Sequence, residues 1–111
     1  LPFTPEQRAG LHVSPGELTA LQRRITSEGA CVPGLRFTGD LLCPGERFER
    51  LRAELGPGFE GIELDSSDRN PHGIRRLAHS VLTNDLVDEA GHPTHAALQR
   101  TLAFFRERLG A

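Results

Sequence analysis

Hydrophobic positions along this chain form short, spaced stripes separated by polar and Gly/Pro-rich stretches. Leu18, Leu21 and Ile25 stand at i, i+3 and i+7, which puts three side chains on one face of an α-helix. Ser14-Pro15-Gly16-Glu17 just before them has the form of a capping box. Ser14 can accept from the N3 amide, Pro15 sits at N1 where no intrahelical bond is lost, and Glu17 reaches back. Gly29 stops the helix. Cys31 to Phe37, with Val32, Leu35 and Phe37 between Gly29 and Gly39-Asp40, predicts a strand whose start is weakened by Pro33. From Pro44, read as N1, a second helix carries Glu46 in its first turn and Phe48, Leu51 and Leu55 at i, i+3 and i+7; Gly56-Pro57-Gly58 ends it. Phe59 to Leu64 alternates Ile62 and Leu64 with Gly61 and Glu63, the period of a second strand. Residues 65–93 are rich in Asp, Asn, Ser, Pro and Gly, and a loop of that length inside a compact domain usually serves a function. The last helix is predicted from Thr94, with Leu98, Leu102, Phe105 and Leu109 as its apolar stripe and Arg106 and Arg108 near its C-terminus. Residues 1–13 show no sustained period and read as a leading segment connected to something upstream.

The order helix, strand, helix, strand, long loop, helix predicts an α/β fold with about two parallel strands and three main helices. Such a set does not cover both faces of a sheet, so apolar surface is expected to stay exposed unless more chain or another copy covers it. The 111 residues allow one domain at most, and the topology predicts less than a complete one. The sequence contains no Met, which fits a processed chain or one piece of something longer.

Charge and composition then remove several classes of function. Thirteen basic residues are interleaved with 15 acidic ones for a net charge of −2, which leaves little electrostatic footprint for a nucleic acid. No run approaches the roughly 18 apolar residues of a membrane span, and Leu1-Pro2-Phe3-Thr4-Pro5 lacks the plan of a signal peptide, so a cytoplasmic chain without membrane contact is expected. In that compartment Cys31 and Cys43 are expected to remain thiols. No CxxC or HExxH spacing occurs, and neither metal nor cofactor is expected.

Ligands of open parallel sheets bind beyond the carboxyl ends of strands, so the candidate chemistry lies at Asp40 and in the loop after Leu64, which holds His72 and His79. An Asp at one strand end and a His from the next strand's loop can act as an orienting carboxylate and a base. The same residues also fit a turn-forming Asp and a solvated His, and sequence alone leaves both readings open. His92 and His95, at i and i+3 without a third ligand nearby, read as structural or solvated, as do the loop residues Arg75 and Arg76.

Leu35-Arg36-Phe37-Thr38-Gly39-Asp40-Leu41-Leu42-Cys43-Pro44-Gly45-Glu46-Arg47-Phe48, Asn70-Pro71-His72-Gly73, Ala78-His79-Ser80-Val81 and Ala97-Leu98-Gln99-Arg100-Thr101-Leu102-Ala103-Phe104-Phe105 occur in an order and spacing that resemble the C-terminal part of dienelactone hydrolase family proteins. The resemblance covers residues 14–109 and implies the C-terminal half of an α/β-hydrolase domain. It implies hydrolysis of esters or lactones by a Cys/Ser-His-Asp triad in which Asp40 is the acid and His79 the base. The nucleophile lies earlier in the family than anything matched here. Gly29-Ala30-Cys31-Val32-Pro33 comes near G-x-C-x-G, but a helix precedes Cys31 and a strand follows, the reverse of a nucleophile elbow. Ser14 is assigned to capping, and Cys43 sits three residues from Asp40 in the acid's own loop. Family members that bind a carboxylated lactone carry an Arg four residues after the triad His, and here that position is Thr83.

The chain alone is therefore expected to be inactive, and its expected partners are its missing N-terminal half or another copy in a homo-oligomer. A non-enzymatic interaction module, pairing with another chain through an exposed sheet edge, is the alternative.

Overall fold

A polar side chain followed by proline starts three of the four helices in the computed structural model, which describes residues 2–110. Thr4-Pro5 opens α1 (Pro5–Ala9), Ser14-Pro15 opens α2 (Pro15–Glu28), and His92-Pro93 opens α4 (Pro93–Leu109). In each, the cap side chain accepts a backbone N–H of the first turn and proline takes a position whose N–H has no helical partner. Helix α3 (Gly45–Leu55) differs: Pro44 occupies the cap position itself rather than N1, and no side chain caps this end. Strands β1 (Val32–Phe37) and β2 (Phe59–Leu64) pair as a two-stranded parallel sheet, and a short 3₁₀ turn, Gly56–Gly58, leads from α3 into β2. The element order is α1-α2-β1-α3-β2-α4.

The described residues form two compact units. Residues 2–34 and 41–61 make the first. Its core is Phe48, Leu55 and Phe59, packed with Leu18, Leu21 and Ile25 of α2 and with Val32, Cys43 and Leu51. Both predicted helical stripes thus face this core. Phe48 and Phe59 meet edge to face with centroids 5.2 Å apart, the favoured arrangement of two ring quadrupoles. At the far end of α2, Gly29 adopts φ +66°, the left-handed conformation that ends a helix at little cost for glycine.

Helix α1 lies within the leading segment, residues 1–13, whose sequence shows no sustained period. Five residues are too few to show a hydrophobic period, and α1 buries none of them. Its signal was Thr4-Pro5-Glu6-Gln7, a second capping box in which Thr4 Oγ1 accepts from the Gln7 amide at 3.1 Å and Gln7 Oε1 accepts from the Thr4 amide at 3.1 Å. Arg8 forks onto Glu46 of α3, and Arg47 donates to the Gln7 carbonyl, so polar bonds do here what apolar burial does for α2.

Residues 35–40 and 62–110 make the second unit. Phe37, Leu64, Ala78, Val81 and Ala97 form its core, with Leu35, Ile62, Ile74 and Leu82 packed against them. Arg36 is buried too, its charge met by Glu63 at 2.6 Å, as a guanidinium out of water requires. Helix α4 buries Thr94 and Ala97, whereas Leu102, Phe105 and Leu109 of the predicted stripe are exposed. Small side chains let the first turns of α4 approach this core closely, and the exposed part of the stripe lies farther along the helix. The expectation of uncovered apolar surface therefore holds on α4. No disulfide joins Cys31 and Cys43, and no helix of the described residues is long and apolar enough to cross a membrane.

Candidate acid–base site

The turn after β1 and the loop after β2 are knitted together by one buried hydroxyl. Thr38 extends the strand pairing by donating its N–H to the Leu64 carbonyl at 2.9 Å. Ser66, fully buried, accepts from the Gly39 N–H at 2.9 Å, donates its hydroxyl to the Arg76 carbonyl at 3.2 Å, and gives its own N–H to Thr38 Oγ1 at 3.0 Å. The result is a close backbone approach: a Cβ at Gly39 would lie 2.1 Å from the Arg76 oxygen. Asp40 follows, its N–H donating to Phe37 at 3.2 Å and its side chain only 2% exposed.

Residues 65–92 have no regular ladder to satisfy their backbone, and side chains take its place. Asn70 alone makes four such bonds, accepting from the amides of His72 and Ile74 and donating to the carbonyls of Ser67 and Ile74. Thr94 Oγ1 accepts from the Val87 N–H at 2.9 Å and ties the end of the loop to α4. His79 lies between two core residues, Ala78 and Val81. Asp85 Oδ2 accepts from the N–H groups of His79 at 3.1 Å and Ser80 at 3.0 Å, while Arg75 forks onto the same carboxylate at 2.7 and 3.1 Å.

These anchors place His79 Nδ1 2.5 Å from Asp40 Oδ2. A carboxylate can only accept, so Nδ1 carries the proton and Nε2 presents its lone pair. No hydrogen bond to Nε2 occurs among the described residues, and the His79 side chain is 48% exposed. A buried anion at one end and a solvent-facing basic nitrogen at the other is the arrangement in which an imidazole accepts a proton and the carboxylate stabilises the resulting cation. The burial of Asp40 also separates it from an ordinary turn-forming Asp, whose carboxylate keeps its water.

Asp85 acts on this pair through the backbone. Its hydrogen bond from Arg75, followed by those from the Ser80 and His79 amides, lowers its pKa from 3.8 to about 2. A carboxyl group depressed on folding contributes stability above its unfolded value, and that contribution is lost as pH falls through the folded value. The amide resonances of His79 and Ser80 are therefore expected to share a titration step with a midpoint of about 2. Asp85→Asn should abolish that shared titration, whereas a midpoint at the ordinary carboxylate value in the native chain would contradict the assignment.

Of the other residues singled out by sequence, Ser14 caps α2, accepting from the Glu17 N–H at 3.1 Å. Cys31 directly precedes β1, and Cys43 packs in the first unit's core. His72 lies exposed with its ring against that of His92, His92 caps α4, and His95 pairs with Asp88 at 2.7 Å. No group of three or more His, Cys, Asp or Glu side chains that could hold a metal occurs among the described residues. Arg75 is exposed, as the solvated reading has it, and it also forks onto Asp85 with the bidentate geometry of a specific bond. Sequence reasoning missed Asp85 and Ser66, since neither stands at a recognisable spacing from the residue it holds. Thr4-Pro5-Glu6-Gln7, by contrast, carried a readable signal.

No protein-family model matches the chain, and neither a curated protein nor a solved structure matches it significantly. Its chemistry has to be read from the geometry.

Proposed function

We propose that Asp40 and His79 are the acid and base of an acyl-transfer site that hydrolyses esters or lactones, in a C-terminal portion of an α/β-hydrolase sheet resembling the dienelactone hydrolase family. The observation that carries this reading is the 2.5 Å bond between a buried carboxylate and a half-exposed imidazole, at the carboxyl ends of two parallel strands.

Catalysis would run as proton transfer around Nε2. A Cys or Ser from outside these 111 residues gives its proton to Nε2 as its sulfur or oxygen bonds to the substrate carbonyl carbon. Nε2 then returns the proton to the departing alcohol as the C–O bond breaks. In the second half, Nε2 takes a proton from water, the hydroxide attacks the acyl carbon, and the nucleophile leaves reprotonated. Asp40 stabilises the imidazolium in both halves. Most of the acceleration in such sites comes from the nucleophile and the oxyanion donors, so the 111-residue chain by itself should show no turnover.

The test compares two proteins with p-nitrophenyl butyrate: the product of the natural reading frame and the 111-residue chain. The first is expected to hydrolyse the ester and to lose at least about a thousandfold in kcat on His79→Ala, and the second to show no turnover. Activity insensitive to His79→Ala, no activity in the reading-frame product, or turnover by the chain alone would each overturn the proposal.

A further inference from the structure

Arg47 is partly buried, yet no carboxylate meets it among the described residues. Its Nη1 donates to the Leu42 carbonyl at 3.1 Å and its Nη2 to the Gln7 carbonyl at 3.3 Å. Carbonyl dipoles leave the positive charge without a counter-ion, and Glu46 beside it in sequence is already forked to Arg8. Each terminal nitrogen has two N–H groups, so each keeps one beyond the carbonyl it serves. Nε is shut off from solvent, and a ligand can meet only the terminal nitrogens.

Arg47 lines a cleft of about 370 Å³ in the first unit, together with Pro2, Gln7, His12 and Leu42. Three of these five residues carry nitrogen donors, and none is a carboxylate. Gln7 Oε1 accepts from the Phe3 and Thr4 amides at 3.0 and 3.1 Å, which fixes the side-chain amide and leaves Nε2 as its other end. Neither Gln7 Nε2 nor the His12 ring makes a hydrogen bond among the described residues. His12 is also the one non-glycine among them with a positive φ, +58°, a conformation that side chains disfavour and that the surrounding chain has to hold.

This set of groups narrows the class of ligand. A metal cation would meet a guanidinium and no carboxylate. A polyol needs acceptors as well as donors, and the Gln7 oxygen is already used twice. An anion satisfies Arg47, Gln7 Nε2 and an N–H of His12 together, while Pro2 and Leu42, the latter 48% exposed, offer apolar surface to the body that carries the charge. We infer that this cleft binds a small organic carboxylate, its charged end on Arg47, Gln7 and His12 and its apolar body on Pro2 and Leu42. All five residues belong to the first unit, whereas Asp40 and His79 belong to the second, so the site does not rest on the acyl-transfer reading.

The test titrates the isotopically labelled 111-residue chain with sodium benzoate and, in parallel, with benzamide and sodium phosphate. Benzoate is expected to shift the Gln7 side-chain NH₂ and His12 amide resonances saturably. It should bind at least about tenfold tighter than its uncharged amide, and tighter than phosphate, which has no apolar body. Gln7→Glu is the discriminating variant. A Glu here keeps the reciprocal cap with Thr4, so α1 is retained, while its second oxygen puts negative charge where Nε2 offered a donor. Benzoate affinity is expected to fall at least about tenfold in this variant. His12→Gly, which suits the positive φ, should lower the affinity severalfold with the fold intact. Absence of a saturable shift, benzamide binding as tightly as benzoate, phosphate binding tighter than benzoate, or unchanged benzoate affinity in either variant would overturn the assignment. Should Gln7→Glu fail to fold, His12→Gly and the comparison of benzoate with benzamide decide.

Discussion

Under the proposed acyl-transfer reading, replacing Asp40 with Asn is expected to lower kcat for ester hydrolysis by the reading-frame product about ten-thousandfold while leaving KM nearly unchanged. The size follows from what the carboxylate does. Asp40 is buried and accepts the Nδ1 proton of His79 at 2.5 Å, which fixes the tautomer with the lone pair on Nε2. An Asn amide is of similar shape but can donate to Nδ1. That moves the imidazole proton to Nε2 and leaves no base facing the substrate, while the anion that stabilises the imidazolium is gone. The ground-state complex does not use this bond, so KM should stay. Steady-state kinetics on the two proteins reads this directly; a loss of less than about tenfold would mean that Asp40 is a turn residue and nothing more.

Gly39→Ala is expected to destabilise the chain by on the order of 3 kcal/mol and to lose the Asp40–His79 bond with it. The added Cβ would stand 2.1 Å from the Arg76 carbonyl oxygen and 3.0 Å from Ser66 Oγ. Neither can yield independently, because Ser66 Oγ is bonded to both the Gly39 N–H and the Arg76 oxygen. The turn and the loop must therefore separate, and Asp40 lies on one side of that gap and His79 on the other. Gly16→Ala is the matched control. Its Cβ would meet only Ser14 Oγ at 4.0 Å, in a helical position, and stability should change by no more than about 0.5 kcal/mol. Urea unfolding midpoints of the two variants check both expectations, and equal midpoints would contradict the close approach.

Local signals were readable in the sequence wherever the physics was local. Ser14 and Glu17 cap α2 because the bonds concerned span three residues, and β2 runs from Phe59 to Leu64 because alternation reports a strand directly. Asp40 and His79 could be named from strand-end logic and family resemblance, but not joined, since 39 residues separate them and no pattern encodes the fold that closes that distance. What escaped has a common cause. Asp85, Ser66 and Thr94 act by bonding backbone groups of distant loop segments, and a polar residue in a polar loop has no periodicity to betray its partner. Helix α4 shows the opposite failure: its large apolar residues announced a buried stripe, yet only Thr94 and Ala97 of its first turns are buried and Leu102, Phe105 and Leu109 farther along are exposed.

The pairing of Asp40 with His79 is tested most directly by nitrogen and proton resonances of the His79 ring at about pH 8.5, where an ordinary imidazole is neutral. A far-downfield proton on Nδ1, slow to exchange, with Nε2 unprotonated, is the expected result, and Asp40→Asn should abolish it. A ring that is predominantly protonated on Nε2, or that exchanges between tautomers as a solvated histidine does, would contradict the pair and the chemistry built on it.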